Sequence, residues 1–264
     1  MLMMIRFAFA ALLLGASAGD VLAAAPSALD AATGALQAAV SGGTLGPVMA
    51  ARGELVRLSA AEPKSALLHY WVAVADWRAV PLMQNTDKAK ALKICESGIV
   101  EAERALELDP KFGEALAVKV GLQGMTFSLG GSQDMMTLGP QMEMDMVRAR
   151  TIAPANPRVL FLDGLNTLHK PGFVGGGPNK ALEKLREAIA RFEADSAEGV
   201  GRPRWGHDDA CLWAGRAAMM QKDYATARDY FVQALTINPK NVWVRTSLLP
   251  AAEKALADSS AQKG

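Results

Sequence analysis

The sequence predicts an all-α chain, an α-α superhelix in which helical hairpins stack side by side. Alanine is abundant and aromatic residues make up only 6% of the chain, which favours close helix-on-helix packing over a β-rich core. Four segments end alike: Ala105-Leu-Glu-Leu-Asp-Pro110, Ala149-Arg-Thr-Ile-Ala-Pro154, Ala188-Ile-Ala-Arg-Phe-Glu193 and Ala234-Leu-Thr-Ile-Asn-Pro239. Their leading alanines lie 44, 39 and 46 positions apart, and recurrence near such a period signals a stacked helical array. Proline closes three of the four endings, where its missing amide hydrogen and its clash with the preceding turn stop a helix.

The first 26 residues carry the parts of a secretory signal. Arg6 supplies the positive charge, Phe7 to Leu14 form an apolar run, and small or aliphatic side chains lead to Ala23. The run is far shorter than the ~20 residues needed to cross a bilayer, and no later segment looks transmembrane. The expectation is a cleaved signal over 1–23, a mature N-terminus between Ala24 and Ser27, and a periplasmic protein with no membrane span. No cysteine lies near the cut, so no lipid anchor is expected.

Residues 24–62 then read as N-terminal helices, near 27–39 and 47–60. Residues 63–258 read as the repeat domain. Its helices are expected near 64–81, 87–108, 112–127, 138–152, 157–168, 178–194, 207–221, 223–237 and 241–257, punctuated by Asp109-Pro110, Asn156-Pro157 and Asn238-Pro239. The last helix serves as a cap, and 259–264 reads as a disordered tail. Each repeated ending has small or apolar residues seven and three positions before its leading alanine. They are Gly98 and Ala102, Met142 and Met146, Ala181 and Leu185, Ala227 and Phe231, each pair on one stripe of a helix.

Over 208–241 these residues resemble the tetratricopeptide repeat. Gly215, Ala227, Phe231, Ala234 and Pro239 stand at the spacing of that family's pattern. Cys211, Ala214 and Ala218 replace its usual tryptophan, leucine and tyrosine. The preceding unit keeps Gly164, Ala181, Leu185 and Ala188 around a five-residue insertion. The one before keeps Gly121 and Ala149, and the first is clear only from about Lys88 to Leu108. The resemblance runs from about Ser65 to Pro250 and implies about four hairpins that bury a shared core by stacking.

Other chemistry finds little support. The formal net charge is +1, with Lys and Arg interspersed among Asp and Glu, so no basic stripe points to nucleic acid. Cys95 and Cys211 fall in helical segments and read as buried thiols rather than a bridge. His69, His169 and His207 are too scattered for a metal site, and no nucleophile stands beside a base in a catalytic pattern. No enzyme activity and no cofactor are expected. The methionines Met135, Met136, Met142, Met144 and Met146 read as core filling, with Met144 pointing away from the face shared by Met142 and Met146. In the loop Lys170 to Lys180, the glycines serve a tight turn, Phe173 is expected to tuck into the core, and Pro178 to open the next helix.

The resemblance also implies a groove lined by the first helix of each hairpin. Alignment on Gly121, Gly164 and Gly215 places Val118, Leu122 and Met125 on it, then Arg158, Phe161, Leu165, Leu168 and His169, then Leu212, Arg216, Met219 and Met220. So wide an apolar face needs a cover. The candidates are a partner helix or peptide, a small hydrophobic ligand, or the chain's own N-terminal helices and 128–137 insertion. Arg158, Phe161, Leu165, His169, Leu212, Arg216 and Met219 are therefore the expected binding residues. A protein-interaction or scaffolding module is the leading function, and a transport-associated carrier of a small apolar ligand is the alternative.

Overall fold

Helix starts in this chain are written as short polar side chains. Ser27, Ser65, Asp87, Asn156 and Asp223 each accept a hydrogen bond from a backbone amide in the first turn that follows, satisfying donors that a helix otherwise leaves unpaired. The computed structural model describes residues 27–130, 135–195 and 203–261, so the expected signal over 1–23 lies outside the described residues. The helices are α1 (Ala28–Gly42), α2 (Leu45–Ala61), α3 (Ala66–Met83), α4 (Lys88–Leu108), α5 (Gly113–Ser128), α6 (Met135–Ile152), α7 (Pro157–His169), α8 (Pro178–Glu193), α9 (His207–Met220), α10 (Tyr224–Ile237) and α11 (Leu249–Ala261). A 3₁₀ turn covers Gly172–Val174 and a π turn covers Val244–Leu248. The described residues contain no strand.

Consecutive helices pair as α3–α4, α5–α6, α7–α8 and α9–α10, and each pair stacks on the next. The register of the pairs follows the small residues. A methyl carbon built at Gly215 would lie 2.5 Å from Cε1 of Phe231, and one at Gly164 would lie 2.9 Å from Cγ of Leu185. In both hairpins the second helix therefore sits where only hydrogen fits. The junction between the second and third pairs is different. There α5 meets α7 directly, and α6 touches α7 only along an edge. The last helix runs to Ala261 rather than ending near 257, so Ser259 and Ser260 are helical and donate to the carbonyl of Leu256. Residues 262–264 of the expected tail lie outside the described residues.

Of the N-terminal helices, α1 packs on α2 and α2 packs on α3, which is buried along almost its whole length. Two polar links then close the array on itself. Arg78 of α3 reaches across to Asp209 at the start of α9, with one N–H···O contact of 2.8 Å and a shorter second one, its guanidinium lying over Trp77 and Trp205. Asn238, just past α10, donates to Ser41 near the end of α1 at 2.9 Å and to Asp208 at 2.7 Å. The first and last thirds of the chain are therefore in direct contact.

Both cysteines are buried free thiols. Burial pushes each up to about 12, as expected for a thiol with no cation nearby to hold a thiolate.

Candidate functional site

Most of the groove expected from the glycine register is interior. Val118, Leu122, Phe161, Leu165, Leu168 and Leu212 are all buried. The occupant is the chain itself, through residues outside the segments expected to do this. Trp77 of α3 meets Phe161 edge-on at 6.2 Å, and Trp205, from the segment before α9, meets it at 6.1 Å. Two large indoles fill the space that an open array would leave to a partner.

Arg158, expected on the groove, is locked into a buried polar network. It donates from Nε to Glu114 at 3.0 Å and from Nη2 to Asp195 at 3.0 Å. Glu114 also accepts from Tyr70 at 2.7 Å and Asn156 at 2.6 Å, while Trp205 donates to the Tyr70 oxygen at 2.9 Å. Both oxygens of Glu114 have donors, which is the condition for keeping a carboxylate buried. Arg158, Phe161, Leu165 and Leu212, expected on an open groove, are thus buried in contacts of the chain with itself.

His169, Arg216, Met219 and Met220 are different, because they lie at the C-terminal end of the groove where that filling stops. Met220 is 61% exposed, Met219 half-buried and His169 exposed. Two tryptophans that the sequence reading passed over join them. The ring of Trp213 on α9 meets His169 edge-on at 5.5 Å and Trp243 at 6.5 Å, the two indoles standing at 73° to each other. The guanidinium of Arg216 sits in this corner, 4.2 Å from the Trp213 ring and 5.2 Å from that of Trp243. The signal was present in the sequence. Trp213 and Arg216 are three apart on one helix, so their side chains meet, and Trp243 follows the proline that ends α10.

The electrostatics of this corner are unlike those of the rest of the protein. Among the described residues, every other arginine that is not exposed has a carboxylate: Arg52 has Asp76, Arg78 has Asp209, Arg158 has Glu114 and Asp195, and Arg228 has Asp229. The hydrogen bond from Arg52 to Asp76 raises the Arg52 guanidinium above its ordinary value. Burial opposes the charges of Arg78 and Arg158, yet their carboxylate partners leave both raised. Arg216 is lowered, because it has the burial and no carboxylate. Among the described residues it has no hydrogen-bond or salt-bridge partner at all. His169 is lowered too, first by desolvation on its packed side and then by the charge of Arg216. The arrangement offers a guanidinium close to two indole rings and without a hydrogen-bond or ion-pair partner among the described residues, a group whose planar fork can hold a planar anion in two parallel hydrogen bonds.

The loop beyond His169 also departs from expectation. Gly177 donates to the Thr167 carbonyl at 2.9 Å and Gly176 to that of Pro171 at 3.1 Å, pinning the loop's base to the end of α7. The tip points outward, and Phe173 is 90% exposed rather than tucked into the core. Among the methionines, Met142 and Met146 are buried and Met144 is exposed, as read, whereas Met136 in the first turn of α6 is exposed rather than core. Among the described residues no group of histidine, cysteine, aspartate and glutamate is placed to hold a metal, and no helix is long and apolar enough to cross a membrane.

Residues 208–241 match the family model of the tetratricopeptide repeat. Two solved structures share the architecture. The HusA haemophore from Porphyromonas gingivalis aligns with a TM-score of 0.60 at 19% identity, over 73% of this chain and 92% of that one. A thermophilic tetratricopeptide-repeat protein from Thermus thermophilus aligns with a TM-score of 0.56 at 16% identity, over 86% of this chain and 99% of that one. At these identities the likeness establishes the fold and nothing more. No curated protein is significantly similar to the chain.

Proposed function

We propose that this chain of tetratricopeptide-like repeats is an exported binding module that holds a protein partner at the C-terminal end of its groove rather than along it. Tetratricopeptide-like arrays serve as interaction modules, and here the usual concave face is already occupied by Trp77, Phe161 and Trp205. The observation that carries the reading is the aromatic corner at the far end. Trp243 is 44% and Met220 61% exposed, and the two flank a half-buried Trp213 and Arg216. Tryptophan, methionine and arginine are the residues enriched at protein interfaces, and tryptophan and arginine dominate interface hot spots. The test is capture from a periplasmic extract by the wild-type protein and by a variant carrying Trp243→Ala and Met220→Ser. A stoichiometric protein lost from the variant supports the proposal, and equal capture by both refutes it.

Periplasmic location belongs to the same proposal and rests on the signal read in residues 1–23. Intact-mass measurement of the exported protein is expected to give an N-terminus between Ala24 and Ser27. A full-length chain kept in the membrane would contradict it.

A second reading, a carrier of a small apolar ligand, is favoured by the same corner and by its neighbours His169 and Met220. The HusA relative in fold is described as a haemophore, and haem is a flat apolar ring bearing two carboxylates. Indole faces, a free guanidinium edge and an exposed imidazole suit such a cargo chemically. Haem titration followed by absorbance separates the two readings. A saturable spectral shift lost in a His169→Ala, Arg216→Met variant supports the carrier, and unchanged free-haem spectra exclude it.

A further inference from the structure

We infer that Arg216 is an anchor for a carboxylate carried on a flat, apolar group. The inference deepens the proposal above and rests on the C-terminal end of the groove being the binding surface. Wherever a guanidinium is half-buried or buried among the described residues, the fold supplies a carboxylate within 3.0 Å of it, except at Arg216. Arg216 is half-buried and its N–H groups still reach water, yet even partial withdrawal of a cation from water without a counter-charge is unfavourable. The two tryptophans compensate for part of this through their ring faces, at 4.2 and 5.2 Å from the guanidinium carbon. They do nothing for its N–H edge, because a ring face attracts charge and does not take the place of in-plane acceptors.

The chemistry missing from the corner is therefore a planar, bidentate acceptor. A carboxylate fits the guanidinium fork, whereas neighbouring lysine or a second arginine, which a phosphate would call for, is not part of the corner. What adjoins the carboxylate is set by the walls. The indoles of Trp213 and Trp243 stand at 73°, Met219 and Met220 follow on the same helix, and the His169 ring borders Trp213. These walls favour a flat hydrocarbon or aromatic body and offer no carboxylate of their own to repel the ligand's charge. Such a ligand is either a free aromatic or polycyclic acid, or an acidic side chain beside an aromatic one on a partner protein.

The site reports on itself, because two of the chain's five tryptophans line it. The experiment titrates the full chain with 2-naphthoate, with neutral 2-naphthalenemethanol, and with a capped Phe-Glu dipeptide, measuring bound ligand by equilibrium dialysis and following tryptophan emission corrected for probe absorption in parallel. The expected result is saturable binding of naphthoate, tighter than the alcohol by roughly ten- to a hundredfold, the range of a hydrogen bond to a charged group. Arg216→Met removes that preference and leaves thermal unfolding nearly unchanged, since no protein acceptor loses its partner. If the methionine variant fails to fold, Arg216→Lys keeps the charge and loses the fork, and it is expected to weaken naphthoate relative to wild type. Tighter binding of the dipeptide than of naphthoate assigns the carboxylate to a protein partner, and the reverse assigns it to a free acid. Equal affinity for naphthoate and the alcohol overturns the inference, as does a preference that survives Arg216→Met. Partner capture that needs Trp243 and is indifferent to Arg216 overturns it while leaving the interaction surface standing. Arg216-dependent naphthoate binding with no protein captured supports it and counts against the protein partner alone.

Discussion

Gly215 and Phe231 offer a test of the repeat register in which the sign of one substitution depends on another. A methyl carbon at Gly215 would stand 2.5, 2.7 and 3.0 Å from Cε1, Cδ1 and Cζ of Phe231, a ring that is itself fully buried. The ring cannot swing aside as the end of a long side chain would, so Gly215→Ala forces a backbone shift of the overpacking kind, which costs about 1–3 kcal/mol. Alanine also improves the interior of α9 by about 1 kcal/mol relative to glycine. The net effect in the wild-type background is destabilisation of up to about 2 kcal/mol. Phe231→Ala alone leaves a cavity and is expected to cost about 3–5 kcal/mol. With the ring gone the three atoms nearest the added methyl are gone too, so Gly215→Ala in the Phe231→Ala background is expected to stabilise by about 1 kcal/mol. The coupling across the cycle is then about 1–3 kcal/mol. Urea unfolding followed by circular dichroism measures all four corners, read as midpoints at constant slope. Equal effects of Gly215→Ala in both backgrounds would show that methyl and ring never meet, and the alignment of the last unit would fall with them.

Three further outcomes are expected. Phe161→Ser should lose about 3–5 kcal/mol because Phe161 is wedged between two indoles, whereas Met220→Ser at an exposed position should stay within about 0.5 kcal/mol; similar losses in urea melts would contradict the division of the groove into core and open end. Arg158→Met strands Glu114 as a buried charge and should cost about 3–5 kcal/mol, with Glu114→Gln in the same chain restoring part of it; an additive pair would mean that the network is not coupled. The thiols of Cys95 and Cys211 should resist a disulfide reagent at pH 8 until urea unfolds the protein, and rapid reaction in native buffer would show them accessible. Because both sit near 12 when folded, the unfolded chain loses these protons first. Stability should therefore decline as pH rises from the ordinary thiol value of about 8.5 towards 12, and replacing both by alanine should flatten that slope.

The helices were legible in the sequence because their ends are chemical. Ser65, Asp87, Asn156 and Asp223 announce starts, prolines announce stops, and ten of the eleven expected starts fall within two residues of an observed one, or three for α6. The remaining start, at Asn241, opens onto the π turn and α11, a distortion that no capping residue signals. The groove was half legible. Glycine register grouped Phe161 with Leu212, and both are buried. Residues 84 and 44 positions away from Phe161 in the chain, Trp77 and Trp205, are what meet it, and the repeat spacing does not say which side chains meet across it. Arg216 was found on the same register, but its lack of a carboxylate is a property of everything around it. Phe173 was misplaced because apolar character predicts burial only on average, and a loop pinned at its base by Gly176 and Gly177 has nowhere to turn its tip except out.

The contacts from Arg78 to Asp209 and from Asn238 to Ser41 bear on how such a protein can change over generations. Open helical arrays grow and shrink by duplication or loss of a unit, since each unit touches only its neighbours. Here a unit spliced into the middle would pull α3 away from α9 and leave Asp209 without its arginine. One deleted would drive α1 into α10. The number of hairpins is thus fixed by a handshake between the two ends, much as the number of staves is fixed once a barrel is hooped. Descent with altered repeat number is closed to this architecture unless those few polar residues change first, so variation is channelled into the places the closure leaves free: the loop that carries Phe173 and the corner that holds Arg216.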